Sequence, residues 1–237
     1  MKNRSFGAGK IICFIGVLGI VIIGVFLYKE FLFKQEELQI EPVRVACIGD
    51  SLTFRRAYEG EKILNYSEYL TDLLGEGYTV KNFGEAGVCT RKDGNYPYTS
   101  LRVYRVGKEY EADILVVMIG TNDIWDYNWV DAERFKTEYL QLIDSYLETE
   151  KTPRIYLCTL PKLFDENGKT VEDGCGERLE IASNVIREVA DEREYHLIDM
   201  NQITAQHPDW YSEDHIHFSN YGASKIAKVI AEELLEE

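Results

Sequence analysis

Four short stretches hold residue types that could do chemistry together. Ser51 lies in Cys47-Ile48-Gly49-Asp50-Ser51-Leu52-Thr53, directly after an apolar run. At a strand end its hydroxyl can stand exposed, with its own N–H facing a developing oxyanion. An Asp/Ser helix cap is the plainer reading of the same residues. Asn82-Phe83-Gly84-Glu85-Ala86-Gly87 carries two glycines three apart. Glycines permit unusual backbone angles, so the Gly87 N–H could approach a ligand, although such pairs also mark turns. Gly120-Thr121-Asn122-Asp123 follows another apolar run and offers the Asn122 side-chain amide as a donor. Asn-Asp is also ordinary turn chemistry. Asp214-His215-Ile216-His217 places a carboxylate within reach of an imidazole in one loop. The Asp can fix a histidine tautomer while the imidazole takes a serine proton. His215 and His217 both suit this, and spacing does not choose between them. Asp–His–x–His also suits a metal, but no further ligand cluster accompanies it.

A hydroxyl, an imidazole, a carboxylate and several N–H donors make up what acyl transfer needs, provided that the fold brings them together. Strand-like runs occur at Val43–Ile48, Tyr78–Asn82, Ile114–Ile119, Arg154–Thr159 and Tyr195–Ile198. VRVACI, ILVVMI and RIYLCT are nearly continuous apolar or β-branched runs, as parallel strands covered on both faces require. Helical patterns fall between them, near 66–74, 99–110, 131–148, 176–193 and 219–235, the last with Ser219 as N-cap. Alternating strands and helices predict an α/β fold with a five-stranded parallel sheet and helices on both faces. Ligands in such sheets gather beyond the carboxyl ends of the strands, which is where all four stretches lie.

Residues 11–28, IICFIGVLGIVIIGVFLY, carry no charge. Eighteen helical residues span about 27 Å, close to the hydrocarbon thickness. Lys2, Arg4 and Lys10 precede the run, which favours an N-in orientation. The run ends in Val25-Phe26-Leu27-Tyr28 rather than an A-x-A pattern, so an uncleaved signal anchor is expected rather than a cleaved signal peptide. Residues 1–10 are then cytoplasmic, 29–42 a stalk ending in Pro42, and 43–237 a single domain at the cell membrane on its extracytoplasmic face.

The net charge of −15 is unfavourable for binding phosphate backbones and argues against nucleic acid as a partner. None of the five cysteines has CxxC spacing, so no structural zinc site is expected. Cys47 and Cys158 lie in strand-like runs and read as core. Cys89 and Cys175 lie in loop-like sequence and could pair in an exported domain.

The four stretches, each at a strand end and in the order Ser, Gly, Asn, Asp/His, closely resemble the SGNH hydrolase family of the GDSL esterase and lipase superfamily. The resemblance covers roughly residues 43–235. It implies a three-layer α/β/α, flavodoxin-like fold. It also implies Ser51 as nucleophile and, from the family's Asp-x-x-His spacing, His217 as general base oriented by Asp214. The Ser51 N–H, the Gly87 N–H and the Asn122 side chain would form the oxyanion hole. Many members carry Pro after the histidine. Phe218 stands there in this chain, and a changed loop shape rather than lost activity is expected.

The stretch from Gly120 to Trp129 is similar to bacterial carbohydrate O-acetylesterase-like members, sialate-type ones among them. Asp50, Trp125 and Trp129 are expected at the substrate. Tyr96, Tyr98 and Tyr127 are further aromatics that could stack on sugars or simply pack. No metal or organic cofactor is needed. The implied function is hydrolysis of a carboxylic ester, an O-acetyl group on a carbohydrate or cell-surface glycan, through an acyl-enzyme. A lysophospholipase or short-chain lipid esterase is an alternative, as is a non-catalytic, membrane-tethered glycan-binding protein. Acyl transfer to a sugar would use the same residues.

Overall fold

Apolar, β-branched runs become the middle of a sheet. In the computed structural model these are β1 (Val43–Gly49), β3 (Ile114–Met118) and β4 (Arg154–Cys158), flanked by β2 (Tyr78–Gly84) and β5 (His196–Ile198). The strands are parallel, in the order β2-β1-β3-β4-β5. The structure describes residues 23–30, 41–54, 64–149 and 151–236. Six helices accompany the sheet among them: α1 (Tyr66–Leu74), α2 (Arg102–Glu109), α3 (Ala132–Leu147), α4 (Cys175–Arg193), the short α5 (Met200–Thr204) and α6 (Asn220–Leu235).

Alternation along the strands sorts the core into two layers. Ala46, Ile48, Leu115, Val117, Ile155 and Leu157 pack with Leu142 and Ile143 of α3 and Leu179 and Ile186 of α4. Val45, Cys47, Ile114, Val116, Tyr156 and Cys158 pack with Leu70 of α1 and Ile226 and Ile230 of α6. Each fully buried aliphatic side chain contributes about 1.5–3 kcal/mol, so both faces of the sheet are held. The expected five-stranded parallel sheet with helices is present.

Several element boundaries differ from expectation for identifiable reasons. No helix begins at Ser51. Residues 51–54 form a turn, with the Thr53 and Phe54 N–H groups donating to the Asp50 carbonyl at 3.1 and 2.8 Å. Among the described residues, the first helix after β1 starts at Tyr66 behind a capping box of Asn65 and Glu68. The pattern at 99–110 divides into a 3-10 turn (Tyr98–Ser100) and α2, because Leu101 between them is extended. β5 starts at His196 rather than Tyr195. Glu194 closes α4 in the left-handed region, and the Tyr195 N–H still donates to the helix carbonyl of Ala190. Ser219 caps α6 as expected, accepting from the Gly222 N–H at 3.0 Å.

The chain divides into two compact units, Met1–Glu41 and Pro42–Glu237. In the first, residues 23–30 are helical with exposed side chains. Most of the membrane anchor expected at 11–28 lies outside the described residues, as does most of the stalk. Among the described residues no helix is long and apolar enough to cross a membrane.

Gly49 is where the nucleophile turn folds back onto the sheet. A Cβ there would lie 1.9 Å from Thr53 Oγ1 and 2.4 Å from the Met118 carbonyl oxygen, and backbone cannot yield as a flexible side chain can. Gly49→Ala should cost on the order of 3 kcal/mol through overpacking, read as a lowered urea midpoint.

Candidate active site

The nucleophile candidate stands on the turn beyond β1. Asn82 of β2 steadies this turn, its Nδ2 donating to the Thr53 carbonyl at 2.7 Å. Opposite lies the loop before α6. There the Asp214 Oδ1 accepts the N–H groups of Ile216 (3.1 Å) and His217 (2.9 Å), which curls the loop about the carboxylate. His215 takes a left-handed conformation inside this curl (φ 58°). The next turn of the chain points the His217 ring at Ser51. His217 Nε2 lies 2.8 Å from Ser51 Oγ, and Nδ1 lies 2.7 Å from Asp214 Oδ2. The structure thus separates the two histidines that spacing left open. Phe218 does not disturb this arrangement. It is buried, its ring 5.1 Å from that of Tyr211, and the loop backbone is closed by the Ser212 N–H donating to the His217 carbonyl at 2.7 Å.

Burial pushes the Asp214 carboxyl up, but donation from the His217 N–H and ring and from the Ile216 N–H outweighs it. The group is held below the ordinary carboxylate range. Asp214 is therefore an anion at neutral pH. An anion at Nδ1 keeps the proton there and leaves Nε2 free to accept from Ser51.

The three expected donors also converge on the sheet's carboxyl edge. Gly87 is exposed with φ 79°, a conformation natural to glycine. Among the described residues, no hydrogen-bond acceptor engages the N–H of Gly87 or of Ser51. Asn122 donates one Nδ2 hydrogen to the Val88 carbonyl at 2.9 Å, which fixes the amide plane and leaves the second hydrogen.

Two buried carboxylates hold these donors. Asp50 was expected at the substrate, and this is corrected: it is fully buried, and its carboxylate accepts from the N–H groups of Leu52 (3.1 Å), Gly120 (3.2 Å) and Thr121 (3.0 Å). It therefore joins the loop carrying Ser51 to the loop carrying Asn122. Asp123, also buried, accepts from the Thr90 N–H and hydroxyl (2.7 Å for the latter) and from the Arg91 N–H. It ties the Asn122 loop to the segment following Gly87. Burial raises both carboxyls, Asp123 to about 7, and the Asp50 charge adds to the rise at Asp123.

Asn128 is a further support that the sequence did not reveal. Its Nδ2 donates to the Asn122 carbonyl and its Oδ1 accepts the Asn95 N–H, both at 2.8 Å. Arg178 of α4 steadies the same loop by donating to the Ile124 carbonyl and pairing with Asp126 at 2.6 Å. Trp129 packs on the core and lies 6.2 Å from the Phe135 ring, so it is largely taken up in packing, while Trp125 is half-exposed. Tyr98 is fully buried, with its hydroxyl on the Phe83 carbonyl. Cys89 and Cys175 are both free thiols.

A parallel five-stranded sheet with Ser, His and Asp hydrogen-bonded in series at its carboxyl edge is the architecture of a serine hydrolase. Residues 47–225 match the model of the GDSL-like Lipase/Acylhydrolase family, and the chain belongs to that family. An acetylxylan esterase of Xylanibacter ruminicola is 29% identical over 212 residues, 81% of this chain. The chain spans only 43% of that relative's length. A rhamnogalacturonan acetylesterase of Bacillus subtilis is 23% identical over 83% of this chain and 91% of its own. Among solved structures, the native aryl esterase of M. smegmatis shares the fold, with a TM-score of 0.67 at 18% identity over 82% of this chain and 99% of its own.

The raised carboxyl of Asp123 sets a sign for stability against pH. The folded state holds this proton more tightly than the unfolded chain, whose carboxyl titrates near 3.8. Stability should therefore fall as pH rises from about 4 to 7. Asp123→Asn should flatten that slope, measured by urea unfolding across the interval.

Proposed function

We propose that the chain removes O-acetyl groups from a carbohydrate through an acyl-enzyme on Ser51. The observation that carries this reading is the continuous contact from Asp214 through His217 to Ser51, at 2.7 and 2.8 Å. His217 takes the Ser51 proton as Oγ attacks the ester carbonyl, and Asp214 holds the imidazolium that forms. The carbonyl oxygen becomes an oxyanion facing the N–H groups of Ser51 and Gly87 and the free amide hydrogen of Asn122. Collapse expels the sugar alcohol, which takes the proton from His217. Water activated by the same imidazole then releases acetate. The names of the acetylxylan and rhamnogalacturonan esterase relatives support a polysaccharide acetyl ester as the substrate class.

The apolar run at 11–28, with Lys2, Arg4 and Lys10 before it, supports an anchored domain outside the cytoplasm. Such a position suits a glycan or wall polymer as substrate. Full-length protein should sediment with membranes and resist carbonate extraction. Recovery in the soluble fraction would remove the anchor from this reading.

Ser51→Ala should abolish acetate release from acetylated xylan and abolish fluorophosphonate labelling, with an unchanged circular dichroism spectrum. Wild-type turnover by that variant would overturn the nucleophile. Asn122→Ala should lower kcat by about 10²–10³, read with 4-nitrophenyl acetate.

A further inference from the structure

Beyond the residues assigned to chemistry, we propose that Tyr96 is a specificity-determining residue whose ring forms the wall of the alcohol side of the site and contacts the sugar of the acetyl ester. This rests on the functional reading above. Among the described residues, a Cβ on Gly87 would meet a single atom within 4 Å, Cδ1 of Tyr96, at 3.9 Å. The Gly87 N–H is one of the three donors facing the reacting carbonyl, so this ring borders the position the ester must occupy.

The ring has a free surface and a fixed base. Tyr96 is 40% exposed, whereas Tyr98, two residues on, is wholly buried and committed to the Phe83 carbonyl. The Tyr96 carbonyl accepts the Cys89 N–H, and the Cys89 carbonyl accepts the Tyr98 N–H, both at 3.0 Å. Asn128 holds the neighbouring Asn95 N–H with one end of its amide and the Asn122 carbonyl with the other. Tyr96 is thus kept in register with two of the donors, Gly87 and Asn122. A rigid aromatic beside an ester site offers a flat apolar face to a sugar ring at little entropic cost. A small acetyl group needs no such face, which is why the wall is assigned to the alcohol.

Tyr96→Ala and Tyr96→Trp are compared with wild type on acetylated xylo-oligosaccharides, methyl acetate and methyl butyrate. Tyr96→Ala should raise KM for the acetylated oligosaccharide about three- to tenfold at unchanged kcat. It should leave kcat/KM for methyl acetate, whose alcohol is too small to reach the ring, within about twofold. Tyr96→Trp should keep the oligosaccharide KM near wild type. Equal losses on oligosaccharide and methyl acetate, or no change on either, would overturn the proposal, as would a selective gain on the butyrate, which would put the ring on the acyl side. Wild-type turnover of the oligosaccharide reports on the functional reading and the variant-to-wild-type ratio on Tyr96, so the two failures are separable.

Discussion

A carboxylate removed from water must find donors or remain protonated, and Asp50 meets that constraint with backbone N–H groups from two separate loops. The position of Ser51 and the position of Asn122 are consequences of satisfying it. One loop leaves β1 and the other leaves β3, and these strands are neighbours in register, Gly49 beside Met118. Asp123 repeats the device one loop further out, gathering Thr90 and Arg91. A hydroxyl and three N–H donors from three crossovers are therefore held chiefly by two buried acids and the Asn128 amide, with Arg178 of α4 bracing the Asn122 loop.

Such scaffolding opposes stability. Two acids out of water, with the charge of Asp50 raising the proton affinity of Asp123, are a poor choice for a core whose only task is to stay folded. The arrangement makes sense as preorganisation. Donors already aimed at a developing charge need not reorient when it appears, and proteins commonly give up stability at such positions. The triad differs in kind. Asp214 is half-exposed and surrounded by donors, so it stays ionised without distorting its surroundings.

The sheet was legible because strands covered on both faces must be apolar on both sides, and VRVACI, ILVVMI and RIYLCT have that character. The stretches of Ser51 and Asn122 were legible because each follows such a run. Direction was not legible. Nothing in Gly49-Asp50-Ser51 says that one side chain turns into the protein and the next out of it, so Asp50 was misplaced at the substrate. The choice between His215 and His217 depends on a left-handed residue in the loop, which spacing does not encode. Asn128 sits in an aromatic-rich stretch with no signal for its role, because bridging two loops is a property of their approach in space. The start of β5 was placed one residue early because Glu194, not a glycine, takes the left-handed cap of α4 and keeps Tyr195 on the helix end.

The serine and the imidazole that meet at 2.8 Å are 166 positions apart along the chain. A ribosome working N-terminus first releases Ser51 well before His217. Until both have emerged the two sides of the contact cannot meet. The contact is thus a property of the whole domain, formed when the segment before α6 closes over β1 and lost as soon as that closure opens.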